Sequence, residues 1–290
     1  MPIRVFAPAK INLNLHICGK RSDGYHILHS LVTFAADIGD WIETAPSDTL
    51  TLEIKGPFSH SLKQESIENN LIIRAARLLA GLAEIEPKAH IILEKNLPVA
   101  SGIGGGSSDA ATTVKALCSL WNIMPDAETL SGLLTGLGAD LPVCLNRKTV
   151  IMEGIGEKIT PYSGLPPLSI VLINPLIACQ TQQVFKNFNG EFSAPVLWPE
   201  KFSNAEEFAD FARTHLHNDL QNSAIRSVPD IKKILEKLTS VGDCLYSGLS
   251  GSGATCFGIF ADAKKAQKNA KLIKGEFPEW WIVSGNLENK

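Results

Sequence analysis

Four of the five residues from 102 to 106 are glycine, and they are followed directly by Ser107, Ser108 and Asp109. Upstream, His90, Ile91, Ile92, Leu93 and Glu94 read as a strand. Downstream, Ala110, Ala111, Val114, Leu117, Cys118 and Trp121 fall on one face of a helix. The chain must therefore pass from strand to helix through almost bare backbone, with Ser107 and Ser108 as candidate helix caps. Such a loop lets several N–H groups point at one anion. The helix start adds its own unpaired N–H groups and the positive end of its dipole. The spacing points to a phosphate site.

Two common phosphate loops do not fit. No Lys-Ser or Lys-Thr closes the glycine run, as a P-loop requires. Ser107 stands where the dinucleotide-binding fingerprint needs its third glycine, and no acidic residue ends a following strand about 20 positions on.

The chain has 290 residues, enough for one large or two ordinary domains, and its net charge of −3 lacks the basic excess of a nucleic-acid-binding surface. No basic segment with an apolar core opens it and no apolar run approaches a membrane span, so a cytoplasmic protein is expected. The six cysteines (18, 118, 144, 179, 244 and 256) are scattered, without a CxxC pair, and read as buried reduced thiols.

Strands and helices intermix without a regular βαβ repeat, which predicts an α+β fold. Alternation from Ile11 to Ile17 predicts a half-buried strand, continued by strands over 28–34 and 49–54. Asn70 should cap a helix to about Ala83, with Leu71, Ala75, Leu78, Leu79 and Leu82 inside. A further helix spans 126–134, an irregular corner 136–142, and a strand 149–152. The cluster Pro161, Gly164, Pro166 and Pro167 suggests a boundary, dividing the chain into domains at 1–160 and 161–290. Beyond it, strands are expected at 168–173, 254–260 and 280–284, the last a candidate to return to the first domain. Helices are expected from 181, at 205–213, at 229–239 and at 263–273.

Several residues carry chemical potential. Lys10 lies between a proline turn and an apolar strand; it is either an edge-strand charge or a cation for a phosphate or a catalytic carboxylate. Asp140 precedes an apolar run and is either a helix cap or a functional carboxylate. The turn Arg21–His26 ends in Tyr25 and His26, which can stack on and hydrogen-bond a flat heterocycle or simply pack. Ser247–Thr255 is a second loop of small residues. His215 and His217 lack a nearby third metal ligand.

Together these segments resemble the GHMP kinase superfamily. The Pro-Ala-Lys start at 8–10, the glycine loop at 98–111 and the Ser-Gly-Ser-Gly-Ala loop at 250–254 occur in order. Within it the chain is similar to the 4-diphosphocytidyl-2-C-methyl-D-erythritol kinases, through residues 7–13, Arg21 with 23–26, 137–143, and Asn218-Asp219-Leu220. The resemblance implies a two-domain fold with the site in the interdomain cleft, and ATP-dependent phosphorylation of the substrate's 2-hydroxyl in non-mevalonate isoprenoid synthesis.

The resemblance also implies roles. Asp140 matches the catalytic base and Lys10 its partner. Tyr25 and Phe185 match the aromatics that sandwich cytosine, and His26 the residue bonding the base edge. Asn12 and Thr181 match substrate contacts. Asn70, Lys95, Pro98, Gly102, Ile103, Gly104, Gly105, Gly106, Ser107, Ser108 and Asp109 match the ATP site. Ser250, Gly251, Ser252 and Gly253 form the third motif. Magnesium is expected, with Ser108 as its candidate ligand. Asp109 replaces an asparagine common in relatives, either to meet magnesium or to cap the helix, and no proline follows Thr181. The implied partner is the small diphosphocytidyl substrate, with neither nucleic acid nor membrane, and the protein a monomer or weak homodimer. A sibling kinase for homoserine, mevalonate or a sugar, and a nucleic-acid-binding module, are the competing readings.

Overall fold

The computed structural model describes residues 1–62 and 66–288. In chain order its elements are β1 (Ile3–Asn12), β2 (His16–Lys20), β3 (His26–Ala45), β4 (Leu50–Lys55), α1 (Ser59–Leu62), α2 (Leu71–Leu82), β5 (Ala89–Glu94), α3 (Gly105–Trp121), α4 (Ala127–Thr135) and α5 (Leu141–Asn146). There follow β6 (Val150–Gly154), β7 (Lys158–Pro161), β8 (Ser169–Asn174), α6 (Thr181–Lys186), α7 (Ala205–His215), α8 (Gln221–Ser227), α9 (Asp230–Ser240), β9 (Tyr246–Leu249), β10 (Cys256–Phe260), α10 (Ala263–Glu276) and β11 (Trp281–Asn286). Helices and strands intermix as an α+β fold should.

The chain forms two compact units that interleave in sequence: residues 1–9, 39–99 and 104–147 make one, and 10–38, 100–103 and 148–290 the other. These units follow packing rather than chain order, unlike a single division at 160.

In the first unit the end of β3 pairs antiparallel with β5, from Trp41 opposite Glu94 to Ala45 opposite His90. β4 runs parallel to β5. Asn70 caps α2 as expected, its side-chain oxygen accepting the Ile72 N–H at 2.9 Å. The buried face of α2 is Ile72, Ile73, Ala75, Ala76, Leu79 and Ala80. Leu78 and Leu82, expected inside, are about 40% exposed. Packing on α3 selects the small residues, which allow close helix approach.

Helix α3 begins earlier than expected. Gly104, with φ +62°, holds the N-cap position, so Ser107 and Ser108 lie inside the first turn and are not its caps. The glycine's left-handed backbone replaces side-chain capping. The corner at 136–142 also resolves differently, because Leu141 already starts α5.

In the second unit, β2 and β6 flank the beginning of β3, and β7 pairs with β6. A separate antiparallel sheet runs β11-β8-β10-β9. All residues of β8 and β10 are buried. Ile231, Ile234 and Leu238 of α9 join Val171, Ile173 and Phe260 in the core beneath. After β11, Leu287 bridges Ala35, and the Glu288 amide donates to the Phe34 carbonyl at 2.7 Å.

The strand expected from Ile11 to Ile17 breaks between β1 and β2. Asn12, Asn14 and His16 are buried together with their apolar neighbours. Polar residues are tolerated there because they are bonded internally: the Asn14 side chain accepts the Leu31 N–H at 2.6 Å and donates to the His29 carbonyl at 3.2 Å. None of the six cysteines is in a disulfide; Cys144, Cys179 and Cys256 are buried and the other three half-buried.

Candidate active site

In the first unit, the phosphate-loop reading rests on β5, Gly104–Ser108 and α3. The first two turns of α3 are enclosed from Ser108 to Val114. The hydroxyls of Ser108 and Thr112 are buried with no hydrogen-bond partner among the described residues. Unpartnered buried oxygens beside a helix start can meet a bound ligand.

Behind this loop lies a closed ionic cluster. The Lys95 ammonium donates to Asp40 at 2.6 Å and to Asp109 at 2.7 Å, and all three side chains are at most 3% exposed. Asp40 also accepts the Asn96 and Leu97 amides at 2.5 and 2.8 Å. Asp109 therefore does not cap α3; it is bound to Lys95. Burial pushes its carboxyl well above the usual carboxylate range, and the charge of Asp40 adds to this. Burial disfavours charge on Lys95 too, but the two carboxylates outweigh it and raise the ammonium above its ordinary value. The Lys95 ammonium is thus committed to structural partners, and its Nζ would lie 3.0 Å from a side chain added at Gly105. It braces the glycine loop from behind.

Asp40 was not among the expected residues. β3 also carries Asp37 and Glu43, and the available signal was that Asp40 alternates in register with the apolar Ile38 and Ile42, which places an acid on the buried face where it needs a partner. Asn70 spends its side-chain oxygen on capping α2. Pro98 is buried just before the loop.

Asp140 stands at the N-cap position of α5, yet its side chain makes no capping bond. Its backbone is helical, at φ −80° and ψ −15°, rather than extended as a capping residue requires. The carboxylate is half-buried. The Asp140 side chain is therefore not the cap of α5.

The second unit holds the other candidates. Lys10 is 4% exposed and its amide donates to the Ile103 carbonyl at 2.9 Å, so it is not a solvated edge charge. The Ser250 hydroxyl accepts the Asn12 amide at 3.1 Å and donates to the Gly102 carbonyl at 3.0 Å. Gly102 has φ +76°, and a Cβ on it would sit 2.5 Å from the Ser250 carbonyl oxygen. Only glycine permits that approach. The third motif is therefore a latch on the start of the glycine loop, stitched again by the Thr255 amide on the Ser101 carbonyl. Its beginning, read as loop from Ser247, is in fact β9 up to Leu249. Thr181 and Ser252 hydroxyls bond at 2.8 Å, bringing the substrate-contact candidate to this motif. Asn12 donates to Ser30 at 2.8 Å, and its buried side-chain oxygen has no partner among the described residues.

The turn before β3 leaves Tyr25 61% exposed. His26 stacks on Phe185, with centroids 5.5 Å apart and planes 29° apart. The Tyr25 ring makes no ring contact of this kind among the described residues. Phe188, not anticipated from sequence, stands edge-on to His26 at 5.7 Å and 89°.

His215 and His217 are engaged separately. His215 bonds the Phe211 carbonyl, whereas His217 pairs with Asp219 at 2.9 Å. Among the described residues no group of three His, Cys, Asp or Glu is placed to hold a metal. No helix of the described residues is long and apolar enough to cross a membrane.

Comparison with known proteins identifies the family. The GHMP kinases N terminal domain model matches residues 70–147 and the GHMP kinases C terminal model residues 200–274. The 4-diphosphocytidyl-2-C-methyl-D-erythritol kinase of Ruegeria pomeroyi is 47% identical over 292 residues, covering 99% of this chain and 100% of that protein. The protein of that name from Paramagnetospirillum magneticum is 44% identical over 283 residues, covering 97% of each. A crystal structure of a 4-(cytidine 5'-diphospho)-2C-methyl-D-erythritol kinase superposes with a TM-score of 0.80 at 29% identity, covering 99% of this chain and 100% of that one. A homoserine kinase from Cytophaga hutchinsonii shares the fold at a TM-score of 0.69 and 17% identity. With relatives this similar along their whole length and both domain models matched in order, the chain belongs to the GHMP kinases, in the family of 4-diphosphocytidyl-2-C-methyl-D-erythritol kinases.

Proposed function

We propose that the protein transfers the γ-phosphoryl group of ATP to the 2-hydroxyl of 4-diphosphocytidyl-2-C-methyl-D-erythritol. One observation beyond family membership carries the choice of acceptor: His26 is half-buried on Phe185 while its ring nitrogens have no protein partner among the described residues. An acceptor without a nucleobase leaves such an imidazole without a task.

Phosphoryl transfer asks for positioning and charge neutralisation. The amides of Gly104–Ser107, at the start of α3, receive the phosphates, whereas the Ser108 amide already donates to the Gly104 carbonyl at 2.8 Å. Asp140 accepts the proton of the hydroxyl as its oxygen bonds to the γ-phosphorus; the bond to the β-phosphate oxygen breaks and ADP leaves. Lys10 orients the reacting oxygen and offsets its charge. Asn12 and Thr181 hold the acceptor, and Tyr25 and Phe185 flank the cytosine.

Magnesium fits the residues present. The Ser108 hydroxyl is buried without a partner, and a magnesium ion needs few protein oxygens when phosphates and water supply the rest. When bound it neutralises phosphate charge. Asp109 holds Lys95 through one carboxylate oxygen, its other oxygen being buried without a partner among the described residues, and it is not assigned as a ligand in this reading. A cytoplasmic location, action as a monomer or weak homodimer, and no nucleic-acid partner complete the proposal.

The test is a coupled ADP-release assay with the purified protein, comparing the diphosphocytidyl substrate with mevalonate, homoserine and galactose. Turnover of the first alone is expected. Preferential use of any other acceptor overturns the reading.

A further inference from the structure

We infer that Phe188 is a specificity-determining residue of the base site: standing perpendicular to His26 while Phe185 lies along it, it fixes the plane in which His26 offers its nitrogens to the cytosine. The inference rests on the diphosphocytidyl reading above and adds to it a residue outside the matched motifs.

The geometry assigns the role. His26 opens β3, and its backbone is paired with Lys20, so the main chain is set. The side chain still has two torsions. Stacking on Phe185 restricts one face of the ring but leaves it able to slide and turn in its plane. A second ring at 89° removes that freedom. Phe188 is itself held firmly. Its amide donates to the Phe185 carbonyl at 3.2 Å, and the preceding Asn187 carbonyl accepts from Arg226 at 2.7 Å. Both phenylalanines pack on the core of this unit. A Cβ on Gly190 would come within 2.9 Å of the Phe188 ring, so the backbone at Gly190 lies close against it.

The chemistry fits reading a base edge. Burial, with Lys20 nearby, keeps the His26 imidazole below its ordinary value. At neutral pH it is uncharged, with one nitrogen donating and one accepting. An accepting nitrogen suits the exocyclic amine of cytosine and opposes the carbonyl of uracil. That difference discriminates only if the ring cannot turn to present its other nitrogen.

The test measures kcat/KM for the cytidine substrate and its uridine analogue, with ATP, for wild type, Phe188→Ala, Phe188→Leu and Phe188→Tyr. The alanine variant should raise KM for the cytidine substrate by about 2- to 12-fold, with kcat and the KM for ATP little changed. The preference for cytidine should fall by a similar factor. Tyrosine, which keeps the ring, should restore both. NMR titration of His26 should show its pKa rising towards the ordinary value in the alanine variant as water reaches the ring. If the alanine variant loses its fold, leucine, which keeps apolar bulk without a ring, is read in the same way. Unchanged discrimination in a folded ringless variant overturns the role of Phe188 and leaves the substrate reading standing. A wild type that ignores the base overturns the substrate reading itself.

Discussion

The Lys95 ammonium and the Asp109 carboxylate meet at 2.7 Å in a site closed to solvent, with Asp40 2.6 Å from the same nitrogen. One cation thus serves two acids, one from β3 and one from the first turns of α3. Desolvating an acid is costly unless it is paired and hydrogen-bonded. Lys95→Met removes the shared cation and leaves the two carboxylates facing each other. It should cost about 3–5 kcal/mol of stability. Asp109→Asn should stay within about 1 kcal/mol of wild type, because burial already pushes Asp109 towards its neutral form and the amide keeps an acceptor for Lys95. Urea unfolding of the three proteins checks this. Equal stability of the two variants would remove the cluster's bracing role.

Asp140→Asn separates chemistry from folding. The Asp140 side chain makes no cap to α5, so the amide costs that helix nothing. Asparagine cannot accept the hydroxyl proton, and kcat should drop by about 10²- to 10⁴-fold. Thermal unfolding should be nearly unchanged. A variant retaining more than about a third of wild-type kcat takes the base role away from Asp140.

The parts of this site that lie close in sequence were legible before the fold. The strand, glycine loop and helix from Ala89 to Trp121 follow from local periodicity and backbone freedom, as does the Asn70 cap. What sequence pattern could not supply was pairing over distance. Asp40 meets Lys95 across 55 positions, and Phe188 meets His26 from the far half of the chain. β1 was partly hidden because Pro8 reads as a turn, although it is buried within the strand. β9 was hidden by its Ser-Gly content; its pairing with β10, not propensity, makes it a strand. The start of α3 was misplaced because serines cap more often than glycine, while here the left-handed Gly104 does so.

Acid should weaken the second unit through His16. The ring is 3% exposed and stacked on His217 at 4.1 Å. Burial lowers its pKa below 6.5, helped by the nearby histidines, although the Ala194 carbonyl and Asp219 pull the other way. The unfolded chain therefore takes up this proton at a higher pH than the folded one. Stability then rises with pH across that window and falls as pH drops below about 6.5. Urea midpoints between about pH 7.5 and 5.5 should decline in wild type, and His16→Gln should show a shallower decline. The same slope in both proteins would mean that other groups carry the effect.

Tyr25 offers the cleanest reading of substrate binding, because its removal disturbs little else. The side chain is 61% exposed on the turn before β3, and the turn is held by backbone, with the Arg21 amide on the Tyr25 carbonyl at 2.8 Å. Tyr25→Ala should therefore leave thermal stability close to wild type. Stacking of a base on one aromatic ring is worth about 1–3 kcal/mol. At about 1.4 kcal/mol per decade, the dissociation constant for the diphosphocytidyl substrate should rise by about 5- to 150-fold. The KM for ATP should barely change, since the proposed function assigns the phosphates to the glycine loop and not to this turn. Calorimetric titration with the cytidine substrate, beside ATP kinetics at saturating acceptor, separates the two effects. A loss of ATP affinity equal to the loss of substrate affinity would show that Tyr25 acts on the whole site and not on the base.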